Sequence, residues 1–195
     1  MAIVGNQLNG ILLEGQNNRT QVLNNHLIAF NAEAGVKVEK EAFPLLHNNK
    51  IYKNHREGIL VVENANAVIE KNEISHNIEV NIAMGGRHSH HSAVIDNLIA
   101  DSPGVGLYLI RAGRLRVLRN DIVRNRDGFV LCTSHAEVQR NHIYDNKNNG
   151  VVCEKQSHPE LTENFMTRNS GVGLLIRQNS CKKGSVIHSN VIVSN

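Results

Sequence analysis

Tryptophan is absent from this chain, and aromatic residues make up only 4% of it. A core built on large rings is therefore excluded, and a surface paved with aromatic platforms is hard to assemble. Three prolines in 195 residues leave no proline-rich linker to divide the chain. Three cysteines form no even set, which argues against a disulfide framework and fits a reducing compartment. No apolar run approaches the ~20 residues of a membrane span, and no basic-then-apolar leader opens the sequence. These absences give an intracellular expectation, cytoplasmic or nuclear, with no membrane contact. The 3.6-residue apolar spacing of amphipathic helices is also missing, which removes helical bundles and helical solenoids.

What is present is asparagine, recurring in register about every 23 residues. A repeat of this length signals a solenoid. The unit reads Gly-Ile-x-Val, a polar turn, an apolar residue, then Asn-x-Ile-x-x-Asn. Its opening glycine falls at Gly10, Gly35, Gly58, Gly106, Gly128, Gly150 and Gly173, with Asn81 in its place once. Two apolar columns follow the glycine, one from Ile11 to Leu174 and one from Leu13 to Ile176. A third runs from Val22 to Ile187. A fourth is Leu27, Ile51, Ile74, Ile99, Ile122, Ile143, Met166 and Ile192. One polar column is Asn25, Asn49, Asn72, Asn97, Asn120, Asn141, Asn164 and Asn190. The other runs from Asn31 to Asn195, with Ser102 the only break. Apolar residues two apart are strands with alternate side chains inward. Three short strands per repeat predict one rung of an all-β, single-stranded parallel β-helix of about eight rungs, right-handed by the crossover rule. Stacked rungs lie ~4.8 Å apart, so each column becomes a ladder of like side chains. An asparagine at a turn tolerates the left-handed conformation and can bond its neighbours above and below. The asparagines are read as structural. Residues 1–195 make one domain, and both ends align with the middle of a rung, so the reading is an internal segment of a longer protein or one that self-associates end to end.

At these residues the repeat resembles the parallel β-helix repeat shared by carbohydrate-binding proteins and sugar hydrolases, the pectin-lyase-like solenoids. The stretch Ser157-His158-Pro159-Glu160-Leu161-Thr162-Glu163-Asn164-Phe165-Met166 is similar to a rung of the F-box-only ubiquitin-ligase adaptors. That resemblance implies a recognition scaffold. No F-box accompanies it here. Enzymes of the fold work on polysaccharides along the outer face of the glycine-initiated strand, using clustered acids.

The outward residues of that strand are Leu12, Lys37, Leu60, Ala83, Tyr108, Val130, Val152 and Leu175. This column lacks the paired carboxylates that glycoside chemistry needs. Glu137 and Glu160 share another column, as do Glu14 and Glu39, and each pair reads as solvated surface. His91, His135 and His158 share a turn column with Arg114. His88 and His90 beside His91 are the residues able to offer Zn²⁺ or Cu²⁺ two ligands, but Arg114 in the column opposes a metal. Charge is uneven, net −2 through Asn97 and net +5 from Leu98. Arg111, Arg114, Arg116, Arg119, Arg124 and Arg126 crowd one rung. Without aromatic residues between them they argue against specific nucleic-acid binding.

The sequence thus favours a non-catalytic recognition scaffold with no cofactor. Its partner would be a protein, acidic where it meets arginine. The expected contact is an exposed apolar stripe of Leu12, Leu60, Tyr108, Val130, Val152 and Leu175, flanked by Arg111, Arg114 and Arg116. The alternative is a carbohydrate-binding protein, or one that cleaves or epimerises polysaccharide.

Overall fold

The computed structural model describes residues 1–86, 91–177 and 184–195. Within them the chain forms short strands and no helix, so no helix is long and apolar enough to cross a membrane. Every third strand pairs in parallel with its equivalent one repeat later. This gives one nine-stranded sheet and two eight-stranded sheets wrapped around a common axis, a parallel β-helix of eight stacked rungs. The first sheet holds the Asn-x-Ile strands, from Ala2–Val4 to Val191–Val193. The second holds the glycine-initiated strands, from Ile11–Glu14 to Leu174–Ile176. The third runs from Gln21–Leu23 to Val186–His188.

The apolar columns line the interior in the register that the repeat implies. Ile59 pairs with Ile82 and then Leu107, Val61 with Met84, and Val94 with Val117. Together they form a single core running the length of the solenoid. The first sheet corrects one assignment. In the first complete rung its inward residue is Ile28, which pairs with Ile51 and is fully buried, and not Leu27. The first complete rung carries one extra residue between Asn25 and its core isoleucine, which shifts the strand by one and turns Leu27 outward.

Both asparagine columns are continuous ladders. The backbone N–H and side-chain Nδ2 of Asn25 donate to Oδ1 of Asn49 (3.1 and 2.8 Å), and Asn49 repeats this to Asn72. From Asn49 onward each Nδ2 of this column also reaches back to a carbonyl on the preceding rung, as from Asn120 to Val94 at 2.9 Å. Every ladder amide from Asn25 through Asn169 is buried, and only Asn190 and Asn195, on the last rung, are not. The asparagines do not themselves take the left-handed conformation. The residue directly before each ladder position does: Asn24, Lys71, Arg119 and Glu163 before one column, Lys53, Asp101, Arg124 and Asp145 before the other. A non-glycine residue there is strained. The ladder bonds made by the next residue offset that strain.

The glycines answer to the second ladder. A Cβ on Gly58 would stand 2.6 Å from Nδ2 of Asn77, and one on Gly106 would stand 2.7 Å from Nδ2 of Asn125. The two exceptions in the sequence explain each other. Ser102 is too short to carry the ladder. Asn81, in the glycine position of the same rung, swings its amide into the vacant place, taking a bond from Asn77 (2.9 Å) and donating to Asn125 (3.1 Å).

The strained corners are zipped by ion pairs between rungs. Arg119 holds Asp96 at 2.8 Å, Arg124 holds Asp101 at 2.7 Å and Arg168 holds Asp145 at 2.7 Å. Hydrogen bonds from these guanidiniums hold the three carboxyls below the usual aspartate value of 3.8.

Three outcomes are expected. Ser102→Asn alone places two amides in one slot and should cost about 1–3 kcal/mol, as overpacking does. Adding Asn81→Gly should recover most of that loss, giving a non-additive cycle in urea unfolding. Independent, additive losses would refute the exchange. Asn120→Leu should cost roughly 1–3 kcal/mol or more by orphaning buried partners on both adjacent rungs. The third outcome concerns pH. The folded aspartates titrate lower than the unfolded ones, so their contribution is present above pH 3.8 and is lost as pH falls through the depressed values. A D96N/D101N/D145N variant should therefore show a shallower fall in melting temperature with acidification. High salt should flatten the wild-type curve, because the pairs are at the surface.

Candidate functional site

The outer face of the second sheet carries a groove that spans several rungs. It is about 670 Å³ and follows the solenoid axis from the rung of Ile78–Val80 to that of Arg177. Register alone builds its floor. Tyr108 stacks on Val130, Val130 on Val152 and Val152 on Leu175, while Val80 stacks on Val105. These six residues form a second apolar cluster outside the core. The walls come from the strand ends and the turns beside them. Glu79, Pro103, Gly104, Arg126, Asp127, Asn148 and Asn149 rise on the N-terminal side, and Glu154 and Arg177 on the other.

The expected exposed stripe is therefore a recessed floor. Leu12 is 49% exposed, but it lies at the far end of the sheet, away from the groove. Leu60, Tyr108 and Leu175 are half-buried, and Val130 and Val152 are only 7% and 3% exposed. Turn residues beside each strand stand above the β-branched floor and cover it. The flanking arginines are also elsewhere. One rung passes through all three sheets, so residues close in sequence spread around the circumference. Arg116 lies on the outer face of the third sheet, in register with Ala93 and Glu137. Arg114 bonds Glu137 there and approaches Glu160 at 3.6 Å. Arg111 sits at the corner between the second and third sheets, and only Arg126 of the arginine-rich rung reaches the groove.

Tyr108 is the one aromatic ring in the groove. Burial raises its pKa, and the neighbouring Cys132 thiol adds to the rise, so the hydroxyl stays protonated. Cys132 follows the inward Leu131 and is nonetheless buried, and Cys153, in the inward column, is fully buried. Asp127 Oδ1 accepts from the backbone N–H (3.2 Å) and Nδ2 (3.0 Å) of Asn149, which fixes both side chains in the wall. Arg177 Nε bonds Glu154 at 2.8 Å, and Arg126 Nε lies 3.4 Å from Asp127. At the N-terminal mouth Glu79 bonds Arg56 at 3.2 Å. Beside it Glu57 is buried, and its carboxyl is pushed upward chiefly by that burial. Sequence reasoning missed these walls because it followed only the central outward column. The available signal was position: Asp127 and Asn149 directly precede opening glycines, while Glu154 and Arg177 lie four residues beyond them.

The other candidates resolve into structure. The carboxylate pairs are neutralised locally, Glu14 by Lys40 at 2.6 Å, Glu39 by Lys37 at 2.7 Å, and Glu137 and Glu160 by Arg114. His135 also bonds Glu160 at 3.1 Å, and its ring lies 5.7 Å from that of His158. His91 stacks against Phe43. His88, His90 and Cys181 fall outside the described residues. Among the described residues no group of three or more His, Cys, Asp or Glu is placed to hold a metal.

Comparison with known proteins adds the following. The family model described as a right handed beta helix region matches residues 34–192. No curated protein matches the chain. Among solved structures it is similar to the periplasmic alginate epimerase AlgG. A single mutant of that protein superposes with a TM-score of 0.87 at 16% identity, over 95% of this chain and 48% of the other. A double mutant gives 0.84 at the same identity and coverage. A third AlgG structure gives 0.71 over 88% and 43%. The chain thus spans about half the length of the solved chains it matches, and at this identity the likeness establishes the fold, right-handed parallel solenoid included. With the family model covering most of its length, the chain belongs to the right-handed β-helix family.

Proposed function

We propose that the chain is a carbohydrate-binding solenoid that seats a polysaccharide along the axial groove of the second sheet. The observation that carries this reading is the groove itself, an aliphatic floor with one tyrosine between walls of amides, guanidiniums and carboxylates. A sugar chain offers apolar C–H faces and many hydroxyls, and this lining matches both. Tyr108 presents a ring edge and a hydroxyl. Asn148, Asn149, Asp127 and Glu154 supply donors and acceptors for sugar hydroxyls. Successive rungs repeat at ~4.8 Å, close to the length of one sugar unit, so successive residues of a chain meet equivalent positions. The fold shared with an alginate epimerase agrees with this reading. A protein-binding strip would need its apolar residues at the surface, and Val130 and Val152 lie below it. Adaptor-like recognition of a protein then rests only on the Ser157–Met166 stretch.

In affinity electrophoresis against a panel of neutral and acidic polysaccharides, the chain should be retarded by at least one of them. Tyr108→Ala combined with Asn149→Ala should weaken that retardation roughly tenfold or more, the loss of one ring contact and one hydrogen-bonded amide. Circular dichroism should report unchanged β content in the variant. Migration unaffected by every polysaccharide would sink the proposal.

A further inference from the structure

The charges in the groove are already matched to one another. Arg177 is held by Glu154 at 2.8 Å, and Arg126 lies against Asp127 at 3.4 Å. The third carboxylate of the lining, Glu79, takes its partner Arg56 from outside the groove. Arg56 also stands 4.0 Å from Glu57, so one guanidinium serves two carboxylates. Among the described lining residues there are three carboxylates and two guanidiniums, and each guanidinium is engaged.

A chain of uronic acids brings one carboxylate per sugar. A groove selective for it needs cations in excess, placed to meet those charges in a partly desolvated site. Here each incoming carboxylate would have to share an arginine with Glu154 or Asp127, close to that like charge, or sit uncompensated. Repulsion of that kind is how a site rejects a wrong ligand. Neutral sugar hydroxyls meet no such obstacle. They donate to the carboxylate lone pairs left over from the ion pairs, and they accept from Asn148, Asn149 and Tyr108.

Building on the polysaccharide reading above, we infer that the groove takes a neutral polysaccharide and rejects polyuronates. The ligand lies along the axis and crosses roughly four rung spacings, ~19 Å, from the Glu79 rung to the Arg177 rung. The chain therefore differs in ligand charge from the alginate-acting enzyme whose fold it shares.

The test is affinity electrophoresis of the intact chain in gels containing either a neutral glucan or mannan, or a polyuronate (polymannuronate or polygalacturonate). The expected result is retardation by a neutral gel that persists at high salt, with polyuronate at least roughly tenfold weaker. The variant E79Q/E154Q removes two lining carboxylates, one of them the Glu154 partner of Arg177. It should gain retardation in polyuronate, and salt should abolish the gain. Wild-type retardation by polyuronate equal to or stronger than by any neutral gel overturns this inference and leaves the groove reading standing. Failure of E79Q/E154Q to gain polyuronate retardation also overturns it. Binding to neither class removes the polysaccharide reading and this inference together. Neutral binding that survives Tyr108→Ala/Asn149→Ala would place the site elsewhere and overturn the inference as well.

Discussion

The structure depends on one bond pattern, the paired donation of a backbone N–H and a side-chain Nδ2 to the carboxamide oxygen one rung ahead. Two such ladders run along opposite ends of the first sheet, and they fix what each rung is permitted to be. They set the parallel register, since a slip by one residue would put an aliphatic side chain against an orphaned amide. They impose glycine at the head of the second-sheet strand, where Nδ2 of a ladder asparagine stands too close to admit a Cβ. They also hold the preceding residue in the left-handed region, where Lys71, Arg119 and Glu163 would not sit unaided. An unpaired buried amide costs more than a made bond gains, so the ladder constrains by penalty more than by attraction.

Above this frame the functional face is built from what the ladder does not fix. The floor of the groove is second-sheet backbone with β-branched side chains, held in place by rung-to-rung pairing. The walls are turns, where length and side chain can change without disturbing the stack. Pro103 and Asn148 are such positions. A rigid floor with variable walls is the arrangement that lets one fold host different ligands.

The sequence disclosed the columns because inward positions and ladder amides answer to one requirement repeated at a constant period. It misplaced Leu27 because an extra residue before Ile28 broke that period inside a rung, and only the pairing with Ile51 reveals it. The groove was legible as a column of outward aliphatics but not as a groove. Depth comes from Asp127, Asn149, Glu154 and Arg177, which stand at the ends of the strands, outside the apolar and asparagine columns that the repeat makes visible. The arginine-rich rung was the least legible feature. Linear proximity suggested a patch, while a closed triangular coil distributes those residues over every side, most of them against carboxylates.

The ladders also have a direction. In each amide the oxygen faces the preceding rung and the nitrogen the following one, as in Asn49, which accepts from Asn25 and donates to Asn72. Strand dipoles in a sheet largely cancel, but these side-chain dipoles do not alternate. They add head to tail, as peptide dipoles do along an α-helix. The solenoid is thus an electrically polarised rod, with partial negative charge toward its early rungs and partial positive charge toward its late ones. Its two directions along the axis are physically distinct, and a bound chain lying parallel to that axis meets a different field at each end.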